Sequence, residues 1–224
     1  MTVLLSPFSS ASVIFWDFDG VIKESVEVKT EAFEKLFLPF GDEIAKRVKS
    51  HHENHGGVSR FDKIPLYLSW ADEPVSRESV EHYCDRFSSL VKQAVIDSSW
   101  VPGVLDYLQK HFKRQKFILV TATPEDEIES ILQALNITHL FESVYGAPTP
   151  KSEAMASVLE DVDPSCDEML MVGDSLSDYE AAISNRVPFL LRCTPLNTSL
   201  QRMEYDDEYD DGYSRWLLIR GDNG

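Results

Sequence analysis

Short apolar runs that end at a glycine or a polar residue are the feature of this sequence that most constrains its fold. There are five of them, at residues 13–16, 117–120, 143–145, 169–172 and 188–191. Runs of this length that are apolar at nearly every position are typical of strands buried on both faces of a parallel sheet. Helical patterns separate the later runs, and they begin near residues 123, 152 and 179. The alternation predicts an α/β fold with a parallel sheet.

The stretch between the first and second predicted strands has a different pattern. Residues 23–97 contain no convincing strand and several helical segments, at 31–38, 42–48, 64–68 and 77–95. An insertion of this length is sufficient for a small domain, and Pro102-Gly103 marks the return of the chain. We therefore expect an α/β core of residues 1–22 and 98–224 that carries an inserted α-helical domain of residues 23–97, with hinges at 20–23 and 98–101.

The charge of the chain excludes some classes of partner. Lys and Arg number 21 and Asp and Glu number 38, so the formal net charge is −17. Nucleic-acid binding requires cationic side chains that neutralise phosphates, and anionic membrane surfaces attract the same residues. We therefore expect neither kind of partner. The acidic segment 204–211, which reads EYDDEYDD, is expected to be a solvated loop or tail.

Cysteine content and the lack of long apolar runs indicate the compartment. Cys84, Cys166 and Cys193 are far apart and odd in number, which favours reduced thiols and an intracellular protein. No apolar run approaches the roughly 18 residues of a membrane span, and residues 1–12 lack the Lys and Arg of a secretory signal. We expect a soluble, cytoplasmic monomer or homodimer.

Two carboxylates directly follow the first predicted strand, in the sequence Asp17-Phe18-Asp19-Gly20. Residues i and i+2 of an extended segment point the same way, so Asp17 and Asp19 would face one crevice. Open α/β sheets bind ligands at the carboxyl ends of their strands. Two acids there suit a metal site or a nucleophile with an acid/base partner, although the motif by itself also fits a solvated turn.

Polar residues also follow the second strand and precede the next predicted helices. Thr121 comes directly after residues 117–120. Thr123 is expected to be the N-cap of the next helix and Pro124 its first residue, so the Thr121 hydroxyl and the free N–H groups could bind one anion. Lys151 precedes another helix and could neutralise a phosphate, although most lysines are solvated.

The fourth apolar run ends in Gly173-Asp174-Ser175-Leu176-Ser177-Asp178. Asp174 lies at the strand end, and Asp178 follows one helical turn later. Both carboxylates can face the same crevice, and carboxylate oxygens are the ligands that Mg²⁺ prefers.

Taken in this order, the residues resemble the motifs of the haloacid dehalogenase superfamily of phosphatases. The matching positions are Asp17 and Asp19 of DFDGV, Thr121 of LVTAT, Lys151, and Asp174 and Asp178 of GDSLSD. The similarity covers residues 12–195 and implies a Rossmann-like parallel core with a helical cap, of the phosphoglycolate phosphatase and β-phosphoglucomutase type.

This resemblance implies a role for each residue. Asp17 would attack phosphorus and form an aspartyl-phosphate, and Asp19 would protonate the leaving oxygen and later activate water. Mg²⁺ would be held by Asp17, the Asp19 main-chain carbonyl and Asp174, with support from Asp178. The transferring phosphoryl group would be bound by Thr121, Ala122 and Lys151. Asp19 favours phosphate esters as substrates over the dehalogenase and phosphonate-cleaving branches.

Two cationic residues bear on the substrate. Arg60 lies in the segment GVSRFD, which resembles a cap loop that approaches substrate, and it could bind a carboxylate or second phosphate at the non-reacting end; a surface arginine is the alternative. Lys29 stands where the mutase branch has a histidine, which favours a hydrolase because lysine is a poor proton relay near neutral pH. Lys29 could add positive charge to the site or be solvated.

Lys29 is thus one departure from the pattern of the family that the chain resembles. A second departure is Ser152, because many relatives have proline directly after the lysine that corresponds to Lys151.

His51, His52 and His55 leave a metal site in the insert open, although a polar loop near the mouth of the site is the favoured interpretation. The expected function is a Mg²⁺-dependent hydrolase of a small phosphate monoester. The alternatives are a phosphomutase and a non-catalytic binding relative, and the latter is disfavoured because every catalytic residue type is present.

Overall fold

The computed structural model describes residues 7–161, 169–212 and 214–220, and it has the predicted α/β architecture. The strands are β1 (Val13–Trp16), β2 (Lys116–Pro124), β3 (Ser143–Ala147), β4 (Met169–Gly173), β5 (Phe189–Arg192), β6 (Asp207–Asp210) and β7 (Arg215–Ile219). The helices are α1 (Pro7–Ser10), α2 (Val26–Phe37), α3 (Asp42–Asn54), α4 (Arg60–Trp70), α5 (Arg77–Asp97), α6 (Val104–His111), α7 (Glu125–Ala134), α8 (Lys151–Asp161) and α9 (Leu176–Ser184).

The strands form one sheet in the order β3-β2-β1-β4-β5-β7-β6. Strands β3 to β5 in this order are parallel, and β7 and β6 add an antiparallel hairpin at one edge. From β1 the chain goes first to β2 on one side and later to β4 on the other. The carboxyl end of β1 is therefore the point where the strand order reverses, which is where open α/β sheets form a ligand crevice.

The helical insert, residues 23–97, begins and ends beside this crevice. The N–H of Glu24 donates to the carbonyl of Ser99 at 2.9 Å, and the N–H of Val101 donates to the carbonyl of Ile22 at 3.0 Å. Between the two linkers every described regular element is helical. Phe33 of the insert belongs to the same buried cluster as the residues on one face of the sheet, so the insert packs directly onto the core.

The predicted start of α7 is wrong. Strand β2 continues to Pro124, which pairs with Ala147 of β3, and the helix begins at Glu125. Pro124 has a ψ of 142° and is the N-cap rather than the first helical residue. Pairing with β3 keeps this segment extended, so the Thr123 hydroxyl caps no helix and is available for the crevice.

The acidic segment 204–211 is also not the loop or tail that was expected. Asp207–Asp210 forms the edge strand β6, paired with the apolar strand β7. The segment is solvated, as predicted, because its side chains are mostly exposed, whereas Trp216 and Leu217 of β7 are buried. A charged edge strand of this kind discourages edge-to-edge association.

The described cysteines are unpaired, as the spacing suggested. Cys84 is buried and Cys193 is half-buried, and both are free thiols; Cys166 lies outside the described residues. None of the helices in the described ranges is both long and apolar enough to cross a membrane.

The position of β7 predicts that the C-terminal hairpin is part of the folding core. Leu217→Ala should lower the free energy of unfolding by about 2–5 kcal/mol, because Leu217 is fully buried between β5 and β6. Asp207→Asn on the exposed edge is the control and should change stability by less than about 0.5 kcal/mol. Chemical denaturation of the two variants measures the difference, and equal stabilities would contradict the assignment.

Candidate active site

Three carboxylates converge at the carboxyl ends of β1 and β4. Oxygen atoms of Asp17, Asp174 and Asp178 all lie within 4.8 Å of one another. The N–H of Asp17 donates to the carbonyl of Val172 on β4 at 2.9 Å, which extends the parallel register past the end of β1. Strand register therefore brings Asp17 beside Asp174, although 157 positions separate them in the chain.

Lys151, the first residue of α8, connects two of these acids. Its Nζ lies 2.8 Å from Oδ1 of Asp17 and 2.6 Å from Oδ1 of Asp178, and all three side chains are buried. Burial by itself would lower the pKa of Lys151, but the two carboxylates outweigh that effect and raise it. The ammonium group is therefore fully charged at the base of the crevice.

Asp178 also fixes the loop that carries Asp174. Its Oδ2 accepts hydrogen bonds from the Ser175 hydroxyl at 2.6 Å, the Ser175 N–H at 3.1 Å and the Asp174 N–H at 3.3 Å. A Cβ at Gly173 would lie 2.3 Å from the Asp178 Cβ, so this close approach requires glycine. The arrangement holds the loop that carries Asp174 against the end of β4.

The cluster has an excess of negative charge. Burial, followed by the charge of Asp178, raises the pKa of Asp17 to about 7, against the opposing effect of Lys151. Burial and Asp17 raise the pKa of Asp174 well above its ordinary value, and the Asp174 carboxylate accepts no hydrogen bond from the described residues. Three carboxyl groups share one ammonium, and their mutual repulsion raises the pKa values of Asp17 and Asp174. This donor set fits a divalent cation with oxygen ligands, whose charge would favour the ionised forms.

Asp19 has a separate set of partners. Its Oδ1 accepts a hydrogen bond from the Ser25 hydroxyl at 2.6 Å, and its Oδ2 is bound by Lys29 and lies 3.3 Å from the Thr123 hydroxyl. Burial would raise the pKa of Asp19, but the charge and hydrogen bond of Lys29 outweigh it and lower the pKa. Lys29 is therefore at the site rather than solvated, and Ser25 and Thr123 are contacts that the sequence motifs did not indicate.

The phosphate-binding residues expected on β2 differ in their placement. Ala122 lines the crevice. Thr121 is buried beside it, and its hydroxyl accepts a hydrogen bond from the Thr123 N–H at 3.2 Å.

A cavity of about 590 Å³ lies above these residues. Its roof includes the insert segment 52–58, and its far wall includes Thr194, Asn197 and Met203. Asn197 donates to the main-chain carbonyl of Asp174 at 2.7 Å. No sequence signal marked Asn197, because it lies in an irregular loop after β5.

Gly57 of the insert contacts Ser177, which lies shortly after Asp174 in the chain. The Ser177 hydroxyl donates to the Gly57 carbonyl at 3.0 Å, and a Cβ at Gly57 would lie 2.1 Å from the Ser177 Oγ. Glycine at this position therefore allows the insert to close over the end of the crevice.

Arg60 forms the second bridge between insert and core. It is the first residue of α4, its Nη1 and Nη2 donate to the Glu127 carboxylate at 2.8 and 2.6 Å, and both side chains are buried. The guanidinium also lies 4.5 Å from the Phe87 ring centroid. Its charge is therefore already balanced on this side of the cavity. Glu127 was not identified from sequence, although an acid four residues before Ile131 on the apolar face of α7 was a signal for a buried partner.

His51, His52 and His55 of the insert do not converge. His51 binds the Tyr67 hydroxyl at 3.0 Å and stacks on His55, whereas His52 contacts Lys63. Within the described residues, the Asp17–Asp174–Asp178 cluster is the group of three or more potential ligands close enough to hold a metal ion.

The fold and the carboxylate site together define a class of α/β hydrolase with an insert between its first two strands. Residues 13–191 match the model of the haloacid dehalogenase-like hydrolase family, and the chain belongs to that family. The chain is 27% identical over 197 residues to a phosphoglycolate phosphatase of Aliivibrio fischeri, covering 78% of this chain and 81% of that one. It is 25% identical to a phosphorylated carbohydrates phosphatase of Thermotoga maritima, covering 76% and 80%. A crystal structure of a hydrolase from Pseudomonas syringae matches with a TM-score of 0.63 at 16% identity, covering 80% and 83%, and shares the fold.

The excess negative charge predicts that Asp174→Asn changes the melting temperature in opposite directions relative to the wild type, depending on whether a divalent metal ion is present. Without divalent ions the variant should melt at the same or a higher temperature, because one repulsive carboxylate is removed. The wild type should gain about 5–10 °C at a Mg²⁺ concentration a hundred times its Kd, and the variant should not. Differential scanning fluorimetry measures both, with exposed Asp85→Asn as a control that keeps the gain. An equal Mg²⁺ effect in all three proteins would contradict the metal site.

The buried Arg60–Glu127 pair predicts a large cost for removing one partner. Glu127→Gln should destabilise the protein by about 3–5 kcal/mol, because it leaves the guanidinium buried without a counter-charge. The double variant Arg60→Met/Glu127→Leu should be close to the wild type. Burial would raise the pKa of Glu127, but the hydrogen bonds and charge of Arg60 outweigh burial and lower it. The stabilisation by this pair is therefore present at neutral pH and is lost as pH falls below about 4.5. Urea denaturation at two pH values checks these expectations, and a smaller cost for the single than for the double variant would contradict them.

Proposed function

We propose that the protein is a Mg²⁺-dependent phosphatase that hydrolyses a small phosphorylated metabolite through an aspartyl-phosphate on Asp17. The observation that carries the proposal is the buried contact of Lys151 with Asp17 and Asp178 beside Asp174, whose carboxylate accepts no hydrogen bond from the part of the chain that the structure describes. The names of the two curated relatives, a phosphoglycolate phosphatase and a phosphorylated carbohydrates phosphatase, support the same reaction class.

Asp17 would act as the nucleophile. Its carboxylate attacks phosphorus, the bond to the leaving oxygen breaks, and water later releases phosphate and regenerates the carboxylate. Lys151 favours the ionised form of Asp17 through a contact of 2.8 Å and would offer its charge to the equatorial oxygens of the phosphoryl group. Main-chain groups at Ala122 and the Thr121 hydroxyl are the proposed further contacts to that group.

Asp19 would transfer protons to and from the reacting oxygens. Its lowered pKa favours the carboxylate form, which is the form that activates water in the second step. Protonation of the leaving oxygen in the first step requires a proton on Asp19, which Lys29 disfavours. The contacts of Asp19 therefore support its role as a base more directly than its role as an acid. Lys29 in place of a histidine relay also favours hydrolysis over mutase chemistry.

Asp17, Asp174, Asp178 and the main-chain carbonyl of Asp19 are the groups that would hold Mg²⁺. When bound, Mg²⁺ supplies positive charge that reduces the repulsion between carboxylate and phosphate. Asp178 also positions this site, because it orients the Asp174 loop.

The helical insert, residues 23–97, would serve as a cap domain on a core of residues 1–22 and 98–224. It covers the cavity through Gly57 and Arg60, and its closure would exclude water during phosphoryl transfer. The paired linkers at Glu24–Ser99 and Ile22–Val101 would be the hinges.

The proposal predicts hydrolysis of phosphate monoesters that requires Mg²⁺. Released phosphate is measured across a panel of monoesters, with and without Mg²⁺. Asp17→Asn should reduce kcat by about 10³-fold or more, whereas Asp85→Asn should have wild-type activity. Wild-type activity in Asp17→Asn would exclude the aspartyl-phosphate mechanism. If the wild type hydrolysed none of the monoesters, the alternative of a non-catalytic binding protein would be favoured.

A further inference from the structure

His52 and Lys63 form a buried contact in the insert that the proposed chemistry does not use. The Lys63 Nζ lies 2.8 Å from Nδ1 of His52, and the two residues are 1% and 3% exposed. Lys63 also approaches the carbonyl of Gly56 at 3.5 Å. His52 lines the cavity, and Lys63 lies behind it.

Lys63 differs from the cations that line the cavity, because each of those has a carboxylate partner. Within the described residues, no carboxylate lies within ion-pair distance of the Lys63 ammonium. Asp19 and Asp62 favour its charge from further away, and Lys29 opposes it. The compensated pairs are Lys29 with Asp19, Lys151 with Asp17 and Asp178, and Arg60 with Glu127.

The contact also fixes the tautomer of His52. Burial and the charge of Lys63 lower the pKa of His52 well below its usual value, so the ring is neutral. The protonated Lys63 amine can only donate, so in that form Nδ1 accepts and the ring proton lies on Nε2. The described residues provide no hydrogen-bond partner for Nε2, so His52 offers an N–H donor, backed by a buried positive charge, to whatever occupies the cavity.

This arrangement is costly without a ligand. Burial lowers the pKa of Lys63 to about 7, because an ammonium without a counter-ion is poorly solvated there. An apolar side chain of similar length would pack at this position without that cost. The cost is recovered when an anion enters the cavity, which points to recognition rather than packing.

We propose that His52 and Lys63 recognise an anionic group, a carboxylate or a second phosphate, on the leaving-group side of the substrate. His52 contacts the group, and Lys63 acts through His52 as a positioning residue. The inference rests on the proposed phosphatase function and adds the substrate class and the residues that select it. Arg60, the residue expected from sequence to bind such a group, is already paired with Glu127.

Matched substrate pairs test this assignment. Phosphoglycerate is compared with glycerol phosphate, and fructose bisphosphate with fructose monophosphate, so the two arms distinguish a carboxylate from a second phosphate. In one of the two pairs, the wild-type kcat/KM should be about tenfold or more higher for the substrate with the additional anionic group, because its KM is lower. His52→Leu and Lys63→Met should reduce that preference to within about twofold, mainly through a higher KM for the substrate with the additional anionic group.

Two controls separate recognition from a structural role. His52→Gln keeps an N–H donor and should retain part of the preference, and Lys49→Met removes a solvent-accessible lysine of the same insert and should retain all of it. Lys63→Met should melt at or above the wild-type temperature, because an uncompensated buried charge is removed.

The outcomes are distinct from those of the phosphatase proposal. Hydrolysis by the wild type without preference in either pair overturns the assignment and leaves the phosphatase intact. A preference that survives in both His52→Leu and Lys63→Met, or a lower melting temperature of Lys63→Met with the preference retained, also overturns it. No hydrolysis of any monoester removes both proposals together.

Discussion

The buried ion pairs of Lys151 hold the catalytic end of this protein together. Three carboxylates from β1, β4 and α9 lie within 4.8 Å of one another, and such a cluster is unstable without positive charge. Lys151 supplies one positive charge for the three carboxyl groups, and a divalent cation would fit the remaining demand. The position of α8 beside the ends of β1 and β4 and the fit to a divalent cation depend on this balance.

The helical insert is attached to the core by two different kinds of contact. In the first contact, the main-chain carbonyl of Gly57 accepts a hydrogen bond from Ser177, close to Asp174. In the second, Arg60 is bound to Glu127 by two hydrogen bonds. The first contact depends on the absence of a side chain, and the second on complete charge compensation. Neither contact uses the groups that are proposed to bind the phosphoryl group. The cavity-facing side of the insert therefore remains available for binding the rest of the substrate.

Charge compensation distinguishes two buried cations of the insert, Arg60 and Lys63. Arg60 has its counter-charge within the protein, whereas Lys63 has none among the described residues and reaches the cavity through His52. Lys29 contacts Asp19 and lowers its pKa, which favours the carboxylate form of Asp19.

The sequence determined strands β1 to β5, the helical pattern between β1 and β2 and the acidic residues at the strand ends, because apolar runs and the spacing of Asp17 and Asp19 are local signals. It missed β7, although Trp216-Leu217-Leu218-Ile219 is an apolar run of the same kind. It also indicated the family through motifs in fixed order. It did not determine the start of α7 or the strand at 207–210, because pairing with β3 and β7 overrides local turn and charge preferences. The partners of Arg60, Lys29 and Lys63 were decided by the tertiary structure alone, since a charged side chain is neutralised by whichever group the packed helices bring within hydrogen-bonding distance.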